Sequence, residues 1–315
     1  MNSSKVGSLK VNSSKVNSSN VNRSNIEKVI KRIQNTYKKW NRTTTVEQMR
    51  QDWDELFKCS NIPAAIDDFN IDHLQARWIR SEGVDPNKVV LYLHGGGFRM
   101  GSIDSHLELT SQISVAAGIS LVAINYRLGP EHIFPEPLED VYLAYQWLLN
   151  NNYSANNIYV AGDSAGGNLA AALLLLLKDN KVSLPGAAVL LSPWLDMHCD
   201  AESYSSRAAV DPIHQRKFLL ALAKKYLGDE GELTNPLASP LLGDLSDLPP
   251  ILIQIGDHEV GLDESILFAE KARKSGSQVE LQIYPEMIHV FQQHSNELPE
   301  GVAAIERIGE FLKRL

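Results

Sequence analysis

The sequence predicts an α/β architecture, a mostly parallel sheet wrapped by helices. Three features carry that expectation. From about residue 71, short β-rich runs alternate with helical stretches. Several of the runs are apolar nearly throughout, as strands covered on both faces must be. Glycine-rich turns follow two of them, at 94–97 and 162–166.

The β-rich runs are 74–80, 88–93, 120–126, 157–161, 187–191, 251–255 and 280–284. Helical candidates lie between them at 105–117, 137–150, 168–178 and 263–275. The stretch 198–228 breaks this rhythm with a polar loop and one helix, 212–227, and reads as an insertion. Ahead of the alternating region, Ile26, Val29, Ile30, Ile33 and Tyr37 recur at helical spacing, with lysines on the other face. A second helix is expected from the capping-box pattern Thr44-x-x-Glu47, with Val46, Met49, Trp53, Leu56 and Phe57 along one side. Residues 1–25 repeat an Asn-Ser-Ser unit, carry no aromatic side chain, and read as a mobile tail. The expected organisation is a tail at 1–25, cap helices at 26–60, a core at 61–197 and 233–315, and a cap insertion at 198–232.

Composition narrows the function classes. A chain of 315 residues with 43% apolar side chains can bury a full core without disulfides or a structural metal. Cys59 and Cys199 stand in no ligand-like spacing, so neither a disulfide framework nor a metal module is expected. The net charge of −8 argues against a nucleic-acid coat, whose footprint is strongly basic. That charge is polarised: residues 1–50 hold eleven basic and two acidic side chains, +9, leaving −17 for the remainder. The longest apolar run, 169–177, is far short of the roughly 20 residues a membrane span needs, so no membrane insertion is expected. The N-terminus has no apolar stretch of secretory type, which makes a cytoplasmic protein the simplest expectation.

The segment 157–170 carries the decisive chemistry. An apolar run enters Gly162-Asp163-Ser164-Ala165-Gly166 and leaves as an Ala/Leu-rich helix. This is Gly-x-Ser-x-Gly in the strand–turn–helix context of a nucleophile elbow. A sharp reversal there would expose the Ser164 hydroxyl above the sheet, and side chains at 162 or 166 would collide. The second motif, His94-Gly95-Gly96-Gly97-Phe98, directly follows another apolar run. Glycine amides can approach a tetrahedral intermediate closely, so Gly95 and Gly96 are expected to form an oxyanion pocket with the amide of Ala165. A phosphate loop is disfavoured, because neither Gly-Lys-Ser/Thr nor Gly-x-Gly-x-x-Gly is present. His94 reads as a loop anchor.

A serine nucleophile needs a base, and the base an orienting acid. Of nine histidines, His289 follows the last apolar run in Met287-Ile-His-Val-Phe, while His132, His198 and His214 precede the expected acid and His294 is expected in a polar helix. Asp257, Glu259 and Asp263 all lie near the end of run 251–255, and position alone does not separate them.

Together, His94-Gly-Gly-Gly-Phe, Asn125-Tyr-Arg-Leu-Gly-Pro-Glu-His, Gly162-Asp-Ser-Ala-Gly-Gly, Ser192-Pro-Trp-Leu-Asp and Met287-Ile-His-Val-Phe resemble the hormone-sensitive-lipase family of α/β-hydrolases, the bacterial family IV esterases. The resemblance covers roughly residues 70–315. It implies an α/β-hydrolase fold: a mostly parallel eight-stranded sheet flanked by helices, under a helical cap built from the N-terminus and the insertion. Many members read Asp-Pro-Leu-x-Asp at the acid. This chain has Glu259-Val-Gly-Leu-Asp263 instead, with the same i, i+4 spacing, which puts Glu259 on the catalytic position and Asp257 second. Gly129 replaces a usual alanine. The resemblance implies a cofactor-free serine carboxylesterase for short- to medium-chain acyl esters, with Ser164, His289 and Glu259 as triad and a homodimer by family habit. Asp163, His94 and Gly97 support the motifs. Lactones are open to the same acyl chemistry. A binding protein of this fold would dispense with the histidine, and a peptidase would need an extended groove.

Overall fold

The computed structural model describes residues 20–59 and 62–315. Its centre is an eight-stranded sheet of β1 (Ala65–Ile71), β2 (Leu74–Arg80), β3 (Asp85–Leu93), β4 (Ile119–Asn125), β5 (Ile158–Asp163), β6 (Ala187–Leu191), β7 (Ile251–Gly256) and β8 (Val279–Tyr284). The spatial order is β1-β2-β4-β3-β5-β6-β7-β8. β2 pairs antiparallel with β1 and β4, and every other pair is parallel. All seven sequence-read runs are strands. β1 is the addition: an edge strand whose side chains are mostly exposed, so it lacks the buried alternation that periodicity detects.

Strand alternation divides the core into two layers. Val89, Leu91 and Leu93 of β3 face α4 (Glu136–Asn150), α5 (Ala165–Asp179) and α8 (Leu262–Lys274). Val90 and Tyr92 face α3 (Leu107–Ala117) and α9 (Pro299–Lys313) on the opposite side. Helix α9 has no counterpart in the sequence reading, which expected a polar helix at His294; that residue instead ends a 3-10 turn, Phe291–His294. Asn168 of α5 is fully buried and donates to the carbonyls of Trp194 and Ala238 at 2.7 and 2.8 Å, locking the central helix to two loops.

The segments expected as a cap are two, and both supply side chains to one cleft. Helix α1 (Asn20–Lys39) starts inside the stretch expected to be a tail, and the rest of that tail lies outside the described residues. Its Ile26, Val29 and Ile33 pack on Met287, Ile288, Phe291 and Leu298 of the segment after β8. Helix α2 (Val46–Leu56) is capped by Thr45, whose side chain accepts from Gln48 N; Thr44, expected at the cap, accepts from Asn41 N instead. Arg50 of α2 ties the cap to the core through the carbonyls of Arg99 and Gly129 and an ion pair with Glu131. In the insertion, a short helix α6 (Ser203–Ser206) precedes α7 (Arg216–Leu227), so the expected helix from 212 begins four residues late. Residues 211–215 form a turn instead, pinned by the Asp211 carboxylate.

Helix α9 meets α3 at Gly309, where an added Cβ would stand 2.3 Å from the Ala116 carbonyl oxygen. A glycine-to-alanine change inside a helix ordinarily stabilises by roughly 0.5–1 kcal/mol. Here the obstructing atom is backbone, so overpacking should win by about 1–3 kcal/mol. Gly309→Ala is therefore expected to lower the urea midpoint at unchanged m-value; a raised midpoint would contradict this packing.

Candidate active site

The site forms at the C-terminal ends of β3, β5, β6, β7 and β8, beneath the cap. Ser164 stands between β5 and α5 with φ 52° and ψ −116°, a left-handed backbone rarely held by a residue with a side chain. Close approach makes this turn possible. A Cβ on Gly162 would lie 2.4 Å from the Gly166 carbonyl oxygen, and one on Gly166 would lie 2.0 Å from that of Leu93. The turn is held by Ser164 N donating to Leu191 O at 2.8 Å and by Ser164 O accepting from Trp194 N at 3.2 Å.

The loop after β3 corrects one expectation. The amide of Gly95, expected in the oxyanion pocket, donates to Asp163 Oδ1 at 3.0 Å, and Gly95 does not line the cleft. A Cβ on Gly95 would sit 2.1 Å from Asp163 Oδ2. This first glycine is thus spent on anchoring the loop. Gly96 and Gly97 line the cleft, with φ 113° and 62°, and no protein group accepts from their amides among the described residues. The amide of Ala165 is at the first position of α5, where helix geometry supplies no acceptor.

Asp163 organises the ground behind that loop. Its Oδ1 also accepts from Tyr92 OH at 2.8 Å, and Oδ2 faces His106 Nε2 at 3.4 Å. Burial opposes its charge, but His106, Tyr92 and His94 outweigh that and hold it below the usual carboxylate value. The His94 ring stacks on Tyr126 at 4.3 Å, and Tyr126 OH donates to His94 O at 2.7 Å. Burial lowers His94 to about 3, so its ring is neutral near pH 7, and it lies outside the cleft.

His289 follows β8, and its Nδ1 lies 2.7 Å from Glu259 Oε2. Glu259 is buried, and its Oε1 accepts from Ser192 Oγ at 2.7 Å and Gly256 N at 2.6 Å. Ser192 Oγ accepts in turn from Val290 N at 3.1 Å, so one hydroxyl joins the ends of β6, β7 and β8. Asp257 turns elsewhere and accepts from Glu286 N at 2.7 Å, while Asp263 caps the Ser203 amide. The carboxylate that meets His289 is Glu259. Burial drives the His289 ring toward neutral. The Glu259 charge and hydrogen bond, with Asp211 and Asp163 behind them, exceed that effect and leave its pKa above the ordinary histidine value.

Ser164 and His289 line a cleft of about 670 Å³ together with Gly96, Gly97, Trp194 and His214. No direct hydrogen bond joins the two in this structure; such contacts commonly tighten only in the reacting complex. Most of the apolar side chains in the wall come from the cap segments: Ile33, Tyr37, Trp53 and Phe57 from α1 and the α2 segment, and Phe218, Leu219 and Leu222 from α7. A smaller cavity of about 330 Å³ adjoins it at Ser164, His289 and His214 and reaches Ser192, Tyr204 and Asp211. Sequence reading assigned no role to Ser192, Asp211 or His214. Only Ser192 carried a signal, its place directly after an apolar run. Among the described residues, no group of three His, Cys, Asp or Glu side chains could hold a metal ion.

A family model described as the alpha/beta hydrolase fold matches residues 90–293. An acetyl-hydrolase of Streptomyces hygroscopicus is 39% identical over 275 residues, 86% of this chain and 91% of its own. An esterase of Acinetobacter venetianus is 34% identical over 251 residues, 77% of this chain and 83% of its own. Among solved structures, an esterase from the bacterial hormone-sensitive lipase family superposes with a TM-score of 0.88 at 36% identity, covering 92% of this chain and 98% of that one. The chain belongs to the α/β-hydrolases, in the branch of hormone-sensitive-lipase-like esterases. In particular, it is an ester hydrolase of that family.

Removing the Ser192 hydroxyl would leave Val290 N unpaired and take one of two donors from Glu259 Oε1. Ser192→Ala should cost about 1–3 kcal/mol of stability and lower kcat more than it raises KM. Thermal melts and steady-state kinetics on one ester check both; an unchanged melt would show the bridge to be slack.

Proposed function

We propose that this protein is a serine carboxylesterase acting on short- to medium-chain acyl esters through an acyl-enzyme. The observation that carries the reading is the buried, hydrogen-bonded Glu259–His289 pair opening onto the same cleft as the strained Ser164. Ser164 Oγ attacks the ester carbonyl carbon while His289 Nε2 takes its proton. The carbonyl π electrons move onto oxygen, and the amides of Gly96, Gly97 and Ala165 receive that oxyanion. Glu259 holds the ring in the tautomer with Nδ1 protonated and stabilises the imidazolium. As the tetrahedral centre collapses, the C–O bond to the alcohol breaks and His289 returns the proton to the leaving oxygen. Water then repeats the cycle on the acyl-enzyme, releasing the acid and restoring Ser164.

The apolar cap walls support an uncharged acyl chain of limited length. The acetyl-hydrolase name of one relative agrees with a small acyl group. Lactone opening uses the same steps. A series of p-nitrophenyl esters from acetate upward, run beside a lactone, should peak at short or medium chains. A maximum at long chains would count against the confined cleft.

Ser164→Ala and His289→Ala should each lower kcat by about 10⁶, and Glu259→Ala by about 10⁴. Asp257→Ala should leave kcat near wild type, and retained hydrolysis in Ser164→Ala would remove the mechanism. The base must be neutral to act, and its pKa lies above the ordinary histidine value of about 6.5. The acid limb of kcat/KM is therefore expected to bend above that pH, with activity lost as His289 gains its proton on the way down. A limb well below 6 would contradict the influence of Glu259 on the ring.

A further inference from the structure

We infer that Asp211, in the cap insertion, is a positioning residue that fixes both His289 and the loop carrying Glu259. The inference rests on the triad reading above and adds a component that the relatives' names do not imply. Asp211 is buried, at 5% exposure, and no lysine or arginine pairs with it among the described residues. Its Oδ1 accepts from the amides of Ile213 and His214 at 2.9 and 2.8 Å, which sets the turn ahead of α7. Its Oδ2 accepts from the amide of Val260 at 2.9 Å, the residue next to Glu259. One carboxylate therefore joins the cap insertion to the acid loop.

The turn that Asp211 shapes delivers a ring to the base. His214 stands edge-on to His289, with centroids 4.3 Å apart and planes at 90°. The imidazole is then confined on two sides, by the Glu259 hydrogen bond at Nδ1 and by the His214 ring against its face or edge. A base that must take a proton from one oxygen and return it to another gains from such confinement, because misplacement by about 1 Å can cost about a hundredfold in rate.

Charge points the same way. The groups around His289 are Glu259 from the loop after β7, Asp163 at the end of β5, and Asp211 with His214 from the insertion. Burial holds His214 well below the ordinary histidine value, so it is neutral and does not oppose an imidazolium beside it. Burial also raises Asp211, while its three amide donors pull it back toward the ionised form. Its negative charge favours the imidazolium that develops during acyl transfer.

Asp211→Asn separates these functions. The amide oxygen can still accept from the turn, but the charge is gone and an NH₂ group faces Val260 N. We expect kcat/KM to fall about tenfold to a hundredfold, mostly through kcat. Losing a negative charge makes the imidazolium less favourable, so the acid limb should move to lower pH. The His289 ring, followed by NMR titration in a Ser164→Ala background, should shift in the same direction. His214→Phe keeps a ring beside His289 and leaves Asp211 intact, and it should retain the wild-type acid limb. Should Asn not be accommodated, Asp211→Ser tests the same shift, since its hydroxyl can still cap the turn. An unmoved acid limb and ring titration in a folded Asp211 variant would overturn the inference, even with activity reduced. A wild-type protein that hydrolyses no ester and takes no serine-directed phosphonate would instead overturn the triad reading itself.

Discussion

At Ser164 the chain reverses from strand to helix through a backbone conformation that costs a residue with a side chain about 1–3 kcal/mol. That cost is held in place by contacts no other residue type would permit. Gly162 and Gly166 approach each other and the Leu93 carbonyl so closely that a methyl group at either position would meet backbone oxygen. The closeness also pulls β3 and β5 into register, with Leu93 opposite Gly162, and so brings the His94–Phe98 loop beside the serine. The strained serine and the glycine loop beside it share one origin. Relaxing the turn would displace both.

Much of this was legible in the chain. Runs buried on both faces announce themselves by composition, and a tight strand-to-helix turn by its glycines. Most of what escaped lacked a buried periodic face or depended on a contact distant in sequence; α9 is the exception, since Ala304, Ile305, Ile308, Phe311 and Leu312 form such a face and the helix was still not read. Strand β1 is exposed on most positions, so nothing in it repeats every second residue. The choice between Gly95 and Gly97 was invisible because it turns on Asp163, 68 residues away, whose carboxylate captures the first amide. The turn at 211–215 runs straight into helix-favouring residues, yet Asp211 claims the amides of Ile213 and His214 and delays α7 to Arg216. Position along the chain left Glu259 and Asp257 open, and only the i, i+4 spacing implied by the resemblance favoured Glu259; in the folded loop that side chain turns toward His289 while Asp257 accepts from Glu286 N.

The cap and the core differ sharply in charge. The described cap segments, 20–59 and 198–228, hold fourteen basic and eight acidic residues, +6, while 62–197 and 229–315 hold thirteen basic and thirty acidic, −17. Across such a boundary, attraction is long-ranged and weakly directional, and salt screens it beyond about 8–10 Å. Orientation must come from specific links. Arg50 grips Arg99, Gly129 and Glu131, Arg32 pairs with Glu297, and Gln34 reaches the Pro212 carbonyl to join the two cap parts. These contacts place apolar cap side chains over the cleft without covering Ser164 with charge.

Two buried carboxylates serve the site from opposite sides, and their surroundings explain why they do not exchange roles. Asp163 accepts from Tyr92 and Gly95 on Oδ1 and faces His106 with both oxygens, so its close contacts lie behind the glycine loop and it reaches His289 only through its charge. Glu259 divides its oxygens differently. Ser192 and the Gly256 amide saturate Oε1, which orients the group and leaves Oε2 directed at the imidazole. An oxygen with one strong partner can strengthen that hydrogen bond as positive charge develops on the ring, whereas one already shared among several donors has less to give. The carboxylate thus sits between Gly256, at the end of β7, and the ring of His289, 30 residues beyond Glu259 along the chain. Differential stabilisation of the charged histidine over the neutral one thus follows from which oxygen is left singly occupied, and that is decided by a serine on the neighbouring strand end.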